Sequence, residues 1–177
     1  MFNSIEVVKD GNAKQRAVYR AVKELRIMED LRAYNPVLCG TIPLAIDVDD
    51  SDLDIIMEVY DYSKFNRVVE WLYSDTKGFR VKETEIRGER VLKVNFLYAG
   101  FEFELFGQAV PVEKQHAFVH MQIEYEILKQ NPDIIENIIQ LKQQGVKTEP
   151  AFCQVLGIEG KDPYEDLIRF GKKLVEI

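Results

Sequence analysis

The chain has 177 residues, of which 46% are hydrophobic, and carries a formal net charge of -7. This length supports one domain with a sizeable core and is too short for two ordinary domains. The negative charge argues against binding of extended nucleic acid through a broad basic surface, because such binding depends on cations that neutralise phosphates. The two cysteines, Cys39 and Cys153, have no metal-ligand spacing, so we expect small core residues in a reducing compartment.

The sequence lacks the usual signals of membrane targeting. Its first six residues do not show the basic start and apolar run that a signal peptide requires. No uninterrupted apolar stretch reaches the length needed to span a bilayer. We therefore expect a cytoplasmic protein without a membrane partner.

The first half of the chain predicts alternating helices and strands. The predicted elements are a helix over 12–34, a strand over 37–39, an irregular acidic loop over 41–51, a strand over 53–59 and a helix over 63–74. The helices are indicated by apolar residues at three- and four-residue steps, and the strands by runs of branched apolar residues. Pro36 stops the first helix and Ser63 is the expected N-cap of the second. The strand over 53–59 is expected to be central in a sheet.

The second half predicts a group of strands followed by a group of helices. Strands are expected over 79–86, 91–98 and 101–106, joined as antiparallel hairpins at Arg87-Gly88-Glu89 and at Ala99-Gly100. Helices are expected over 112–129, 133–143, 150–156 and 163–175. The predicted fold class is therefore α+β with a mixed α/β sheet. Residues 1–110 would form the core, and residues 111–177 a C-terminal helical cap packed on it in one globular unit.

Seven acidic residues lie between positions 47 and 61, with no lysine or arginine among them. They are Asp47, Asp49, Asp50, Asp52, Asp54, Glu58 and Asp61. Such crowding is self-repulsive unless a cation or solvent relieves it, and a solvated acidic loop is the alternative interpretation. However, Asp52 and Asp54 stand two apart at the start of an apolar strand, so their side chains share one face. Such a pair is a natural chelate for a hard cation such as Mg²⁺ or Mn²⁺.

Two further features extend this candidate site. Glu102 and Glu104 alternate with aromatic and aliphatic residues, which places both glutamates on one strand face. If that strand lies beside the strand over 53–59, one of them completes a carboxylate triad; otherwise it is an ordinary half-exposed strand. Gly40-Thr41 ends the strand over 37–39, where a glycine lets the backbone approach a phosphate and a threonine hydroxyl can hold its oxygens.

These residues resemble the signature of the polymerase β-type nucleotidyltransferase superfamily. That signature is a strand ending in Gly-Ser or a close variant, a spacer, Asp-x-Asp between apolar flanks, and a third acid on a later strand. The matching segments are Leu38-Cys39-Gly40-Thr41, Ser51-Asp52-Leu53-Asp54-Ile55-Ile56, and Glu102 or Glu104. The whole chain, with Glu104-Leu105-Phe106-Gly107-Gln108 and its helical tail, also resembles a bacterial family known as a domain of unknown function with this fold.

The resemblance implies a nucleotidyltransferase-like mixed sheet flanked by helices, and transfer of a nucleotidyl group from a nucleoside triphosphate to an acceptor hydroxyl. The implied metal ligands are Asp52, Asp54 and one of Glu102 and Glu104. The implied catalytic residues are Asp52, Asp54 and Glu104. The implied triphosphate ligands are Gly40, Thr41 and Ser51. Such chemistry depends on positioning and on neutralising charge at the transferred phosphorus, often with two metal ions about 4 Å apart.

Two departures from the family pattern keep a second function open. Thr41 stands where the family has serine, and Ile42-Pro43-Leu44 follows where many members begin a helix. The alternative function is a catalytically inactive module with this fold that serves in binding or regulation. For an enzyme, the acceptor is open between a small aminoglycoside-like molecule, an RNA end and a protein hydroxyl.

The two histidines of the chain, His116 and His120, stand with Glu124 at four-residue steps on the helix predicted from Val112. The three side chains therefore share one stripe of that helix. A histidine pair at this spacing can bind zinc, but the His-Glu-x-x-His pattern of metalloproteases is absent. We interpret these residues as part of the cleft, or the histidines as hydrogen-bonded structural residues.

Overall fold

The computed structural model describes residues 4–174 and is built around one five-stranded sheet. The strands are β1 (Val37–Leu38), β2 (Leu53–Glu58), β3 (Lys77–Ile86), β4 (Glu89–Tyr98) and β5 (Phe101–Gln108). The helices are α1 (Ala13–Glu24), α2 (Ile27–Asp30), α3 (Tyr62–Tyr73), α4 (His116–Gln130), α5 (Ile135–Gln143), α6 (Thr148–Leu156) and α7 (Pro163–Gly171). Val175, the predicted end of the last helix, lies outside the described residues.

The sheet has the strand order β1-β2-β5-β4-β3 and is mixed. β2 and β5 run parallel, whereas every other neighbouring pair is antiparallel. β2 is therefore an interior strand, as its run of branched apolar residues predicted. Its parallel pairing joins Leu53 to Phe103, fifty positions later in the chain. The predicted class, a mixed sheet flanked by helices, is confirmed.

Both hairpins turn through two residues with positive φ. The angle is 55° at Arg87 and 80° at Gly88 in the first turn, and 50° at Ala99 and 85° at Gly100 in the second. Two consecutive positive φ values match the twist of antiparallel strands, and glycine adopts them at little steric cost. The hairpins predicted at these two positions are confirmed.

The two faces of the sheet bury different sets of residues. On β2, Leu53, Ile55 and Met57 pack in a hydrophobic cluster with residues of α1 and α3. Ile56 points to the opposite face and belongs to a second cluster, formed largely by α4, α5, α6 and α7. Asp54 shares that second face because it is two positions from Ile56. The alternation along β2 thus turns its acidic side chains toward the C-terminal helices.

The helix predicted over 12–34 is divided in three. Asn12 and Gln15 form a capping box at the start of α1, which ends at Glu24. Arg26 then has a φ of 54°, a left-handed conformation that cannot continue a right-handed helix. α2 and a 3₁₀ turn complete the segment before Pro36.

Several helices begin at residues other than those predicted: α5 begins at Ile135 rather than at position 133, and α6 at Thr148 rather than at position 150. Asp61, not Ser63, caps α3, because its carboxylate accepts a hydrogen bond from the Lys64 N–H at 2.9 Å. α4 begins at His116 after a separate 3₁₀ turn that starts at Val112. Within residues 4–174, no helix combines the length and apolar character needed to cross a membrane.

We expect Gly107→Ala to destabilise the protein by about 1–3 kcal/mol, because β5 has no room for a methyl group there. A Cβ at this position would lie 2.6 Å from Val59 Cγ2 and 3.2 Å from Phe65 Cε1. Denaturant unfolding would measure the loss. Val59→Ala removes the nearer methyl, so the double variant should lose less stability than the sum of the single variants. Strictly additive losses would contradict this steric explanation.

Candidate functional site

A cleft of about 550 Å³ lies between the second face of the sheet and the C-terminal helices. The residues that line it include Gly40, Thr41, Asp54, Arg87, Glu104, Lys114, His116, His120, Glu124 and Glu149. The first five of these come from the sheet and its loops, and the others from the helical region. Most of the side chains that the sequence predicted as functional thus meet in one place.

The parallel pairing of β2 with β5 places Asp54 directly opposite Glu104. Both residues line the cleft. Asp52 precedes Asp54 by two residues and lies on the same side of the sheet. Glu102 forms an ion pair with Arg80 of β3. The register therefore brings Glu104, rather than Glu102, next to Asp54.

Two side chains of β4 hold the Glu104 carboxylate. Lys93 Nζ donates a hydrogen bond to Glu104 Oε1 at 2.8 Å, and Asn95 Nδ2 donates to Oε2 at 3.4 Å. Asn95 is the antiparallel partner of Glu104, and Lys93 lies two residues along on the same face. One ammonium group therefore sits at the edge of a group of three carboxylates.

The electrostatics of this group penalise negative charge. Burial is the main reason that the pKa of Asp54 rises to about 7, and repulsion from Glu104 and Asp52 adds to the effect. The ammonium groups of Lys93 and Lys142 act in the opposite direction. Partial burial, followed by repulsion from nearby glutamates, also raises the pKa of Asp52. The two lysines therefore offset only part of the cost of a charged Asp54 carboxylate.

Gly40 lies against the Asp54 carboxylate. The Cys39 N–H donates to the Asp54 carbonyl at 2.9 Å, which continues the pairing of the first two strands to the end of β1. Gly40 follows with a φ of 78°, and a Cβ there would lie 2.5 Å from Asp54 Oδ2. A side chain is excluded by both the backbone conformation and the close approach. The absence of a side chain at Gly40, predicted to let a phosphate approach, thus lets the Asp54 carboxylate approach the backbone.

The hydroxyl group of Ser51 links two parts of the loop over 41–51 through hydrogen bonds. Ser51 Oγ accepts a hydrogen bond from the Val48 N–H at 2.9 Å and a longer one from the Thr41 hydroxyl at 3.4 Å. Thr41 lines the cleft beside Gly40. Ser51 therefore supports the loop, while Thr41 presents its hydroxyl group at the cleft.

Two residues of α1 anchor this loop. Lys14 Nζ lies 3.0 Å from the Asp47 carboxylate and donates to the Val48 carbonyl at 2.6 Å. The buried Gln15 side chain donates from Nε2 to the Ile42 carbonyl at 2.9 Å. The segment predicted to be irregular is irregular, but its position next to the acids is fixed.

His120 and Glu124 line the cleft from one face of α4, as their spacing predicted. Their exposed fractions are only 5% and 3%. Glu149, from the first turn of α6, joins them, so that one potential ligand atom of each residue lies within 4.8 Å of the other two. Neither ring nitrogen of His120 has a hydrogen-bond partner among the described residues. The interpretation as a hydrogen-bonded structural histidine is therefore wrong for His120.

Burial also dominates the titration of this second group. It lowers the pKa of His120 to about 4, with smaller contributions from His116 and Arg87. It raises the pKa of Glu124 well above the usual range and lowers the pKa of Lys142 to about 8. Burial therefore disfavours the charged form of each of these three side chains.

His116 is exposed and has different neighbours. Its Nδ1 atom lies 3.2 Å from Arg87 Nη1, and Arg87 also forms an ion pair with Glu165. The Arg87 guanidinium lies over the ring of Tyr164, at 5.9 Å from its centroid. These contacts join the turn between β3 and β4 to the beginnings of α4 and α7.

The carboxylates of Asp52, Asp54 and Glu104 are farther apart than the potential ligand atoms of His120, Glu124 and Glu149. Among residues 4–174, the group of His120 is the one with three potential ligand atoms within 4.8 Å of one another. Asp52, Asp54 and Glu104 do not form such a group. Like charges repel, and Lys93 holds one oxygen of Glu104, so a cation would have to draw the three carboxylates together.

Sequence reasoning missed Glu149, Lys14 and Gln15. Glu149 lies one residue before the predicted start of a helix, a position where glutamate is common because it favours the helix dipole. Gln15 follows Asn12 by three residues, which is the spacing of a capping box and indicates a helix start, not a loop anchor. None of these signals points to a ligand.

Residues 20–170 match the model of a protein family described as a domain of unknown function, DUF4269. The chain belongs to this family. The matched region includes the strands and helices that enclose the cleft, so the candidate site lies within the DUF4269 region. A comparison with curated proteins gives no match.

Solved structures show what the DUF4269 chain resembles in three dimensions. The polymerase core of TRAMP, an RNA surveillance complex, superposes with a TM-score of 0.56 at 10% identity, over 89% of this chain and 49% of that one. The GLD-2/RNP-8 complex superposes with a TM-score of 0.55 at 12% identity, over 97% of this chain and 63% of that one. A cytoplasmic RNA terminal U-transferase superposes with a TM-score of 0.54 at 14% identity, over 86% of this chain and 49% of that one.

These likenesses establish the fold. This DUF4269 protein has the fold of the polymerase β-type nucleotidyltransferases, as its residue pattern indicated. It spans between 49% and 63% of the lengths of the three chains described above. At identities of 10% to 14%, what those proteins act on does not carry over to this chain.

We expect Asp54→Asn to stabilise the metal-free protein, and to do so more strongly as the pH rises. The pKa of Asp54 is about 7 in the folded chain and about 3.9 in the unfolded chain, so ionisation of this carboxylate lowers the free energy of unfolding. The decrease develops between about pH 4 and pH 7 and persists at higher pH. An amide avoids this loss, which is at most about 4 kcal/mol and is reduced by solvent screening. Thermal unfolding in EDTA at pH 4.5 and pH 8 would measure it.

Asp50→Asn is the matched control, because Asp50 is an exposed acid of the loop that precedes β2. Its effect should stay within about 0.5 kcal/mol at both pH values. A stabilisation by Asp54→Asn that does not grow with pH, or that Asp50→Asn reproduces, would contradict the buried-charge explanation.

Proposed function

We propose that this protein is a metal-dependent nucleotidyltransferase, which moves a nucleotidyl group from a nucleoside triphosphate to an acceptor hydroxyl. The observation that carries the proposal is the register of β2 and β5, which sets Asp54 opposite Glu104. Gly40 lies against the same carboxylate, and all three residues line a cleft large enough for a nucleotide. The polymerase β-type fold supports the assignment.

The carboxylate group fits a hard divalent cation such as Mg²⁺ or Mn²⁺. Its potential ligands are oxygen atoms, which such cations prefer. The raised pKa of Asp54 means that added positive charge would be stabilised there. Asp52 and Asp54 would hold the ion, with Glu104 as the third ligand. When bound, a divalent cation would neutralise charge that develops at the α-phosphorus as the nucleotidyl group moves to the acceptor oxygen and pyrophosphate leaves.

The other side chains have separate roles in this proposal. Glu104 Oε2 has only a long contact to Asn95, so it is the carboxylate oxygen available to accept the proton of the acceptor hydroxyl. Lys93 holds the other oxygen and fixes the orientation of the carboxylate. The N–H groups near Gly40 and the Thr41 hydroxyl would bind triphosphate oxygens. Ser51 would hold Thr41 in place.

The cleft also offers cations for the triphosphate, because Arg87 and Lys114 are among the residues that line it. The chain as a whole carries a net charge of -7, which disfavours a long nucleic acid as the acceptor. Acceptor assays therefore begin with small hydroxyl compounds, followed by RNA 3′ ends and protein hydroxyls.

We expect Asp54→Asn and Glu104→Gln each to lower transfer from a labelled triphosphate by about 100-fold or more, because each removes a charge that acts at the reacting phosphorus. Glu102→Gln is the matched control. It is on the same face of the same strand but pairs with Arg80, so it should lower transfer less than about threefold.

The outcome of this comparison decides which glutamate acts. Equal losses for the Glu102 and Glu104 variants would refute the register-based assignment of the third acid. Unchanged transfer in both Asp54→Asn and Glu104→Gln would refute the site. Circular dichroism of each variant separates a loss of transfer from a loss of fold.

One observation favours the second candidate, an inactive binding or regulatory module. The ion pair between Lys93 and Glu104 is half-buried and occupies an oxygen that a metal would need. If this pair is permanent, the third acid does not reach a metal and the acids serve only to shape the cleft. The enzyme and the module then differ in whether a triphosphate with Mg²⁺ binds at all.

We expect each productive triphosphate with Mg²⁺ to raise the thermal midpoint by about 5–10 °C at one hundred times its dissociation constant, which corresponds to about 2.7 kcal/mol. Asp54→Asn should abolish the shift. Differential scanning fluorimetry with ATP, GTP, CTP and UTP would measure it. The absence of a shift with all four, in a chain that stays folded, would favour the module.

A further inference from the structure

The group formed by His120, Glu124 and Glu149 has the donor set of a second metal site. His120 and Glu124 are one helical turn apart on α4, and Glu149 comes from the adjacent α6. One nitrogen and two carboxylate oxygens lie within 4.8 Å of one another. An ion at the centre of such a triangle is at most about 2.8 Å from each atom, so shifts of about 0.7 Å give the distances of zinc.

The burial of these side chains points to a ligand. Only 5% of the His120 surface is exposed, yet neither ring nitrogen has a hydrogen-bond partner in the described part of the chain. A buried polar group without a partner costs free energy that a metal bond or hydrogen bond would recover. Glu124 is buried beside it, where a carboxylate also needs a partner.

The nearest ammonium group does not meet that need. Lys142 is buried and interacts electrostatically with Glu124 and Glu149. However, within residues 4–174 no carboxylate oxygen lies within 4.0 Å of the Lys142 Nζ atom. Two carboxylates and an imidazole thus converge, and in the described part of the chain no lysine or arginine forms an ion pair with either carboxylate. A divalent ion would balance both acids.

We propose that His120, Glu124 and Glu149 bind a divalent transition-metal ion of the Zn²⁺ class, at a site separate from the carboxylates of β2 and β5. The imidazole nitrogen selects against Mg²⁺, which takes oxygen ligands, and mixed nitrogen and oxygen donors suit zinc. All three residues line the cleft, so a fourth position faces the space where a substrate would lie. This arrangement of three protein ligands and an open position is typical of accessible zinc sites.

His116 is not part of the proposed site. It is the other histidine of the chain and stands four residues earlier on α4, but it is exposed and lies 3.2 Å from the Arg87 guanidinium. A metal at that nitrogen would face a cation. His116 therefore provides a control that differs from His120 in its surroundings and not in its chemistry.

The test is calorimetric titration of the 177-residue chain with Zn²⁺ at pH 7.5, for the unsubstituted sequence and for Asp54→Asn/Glu104→Gln. We expect one high-affinity Zn²⁺ per chain in both. His120→Gln and Glu149→Gln should weaken binding at least about tenfold, since each removes a ligand. His116→Gln should leave the affinity unchanged within about twofold.

A spectroscopic readout identifies the ligand directly. With two histidines in the sequence, nitrogen-15 NMR distinguishes their rings, and one equivalent of Zn²⁺ should shift the ring resonances of His120 and not those of His116. Because Glu149 is only half-buried, Glu149→Gln serves as the folded variant if His120→Gln does not fold.

Three results would overturn the proposal: no Zn²⁺ binding at millimolar concentration, binding lost only in the Asp54→Asn/Glu104→Gln variant, or binding sensitive to His116 and not to Glu149. The proposal does not rest on nucleotidyl transfer. Loss of transfer in Asp54→Asn with retained Zn²⁺ binding would support both sites, whereas retained Zn²⁺ binding without any transfer activity would refute only the proposed function.

Discussion

The parallel pairing of β2 with β5 is the constraint on which the rest of the site depends. It joins residues fifty positions apart and sets Asp54 opposite Glu104 on the face that looks toward the C-terminal helices. The intervening chain makes this possible, because α3 crosses one face and two tight hairpins return the chain beside β2. A shift of one residue would turn every acid into the apolar face. The buried residues Leu53, Phe103 and Leu105 on that face therefore fix the register of the acids.

The acids are kept at an electrostatic disadvantage by the packing around them. Gly40 approaches Asp54 closely, and the loop that follows is held by Lys14 and Gln15 of α1, so the carboxylate has little freedom to move into solvent. A charged group held in such a place costs stability, and proteins retain such arrangements mainly where they serve a function. The raised pKa of Asp54 and the anchored loop are thus two consequences of one arrangement.

The sequence predicted the features that depend on local periodicity. The period of two placed Asp52 and Asp54 on one strand face and narrowed the third acid to Glu102 or Glu104, but alternation cannot choose between residues on the same face. The choice depends on strand register, which is a tertiary property. For the same reason Glu149 was missed: its distance from His120 in the sequence has no helical or strand period. The left-handed conformation of Arg26, which divides the first helix, likewise has no signal in the residue pattern.

The cleft brings together two acidic groups of different chemistry. The carboxylates of β2 and β5 offer oxygen atoms and one competing ammonium group, Lys93, whereas the group on α4 and α6 includes an imidazole without hydrogen-bond partners in the described chain. Hard and borderline cations therefore favour different groups of side chains within the same cleft. The sheet supplies one group and the helices the other, so the relative position of these two layers sets the distance between them. No acid or imidazole belongs to both groups, whereas the Lys142 ammonium acts on both and couples them electrostatically.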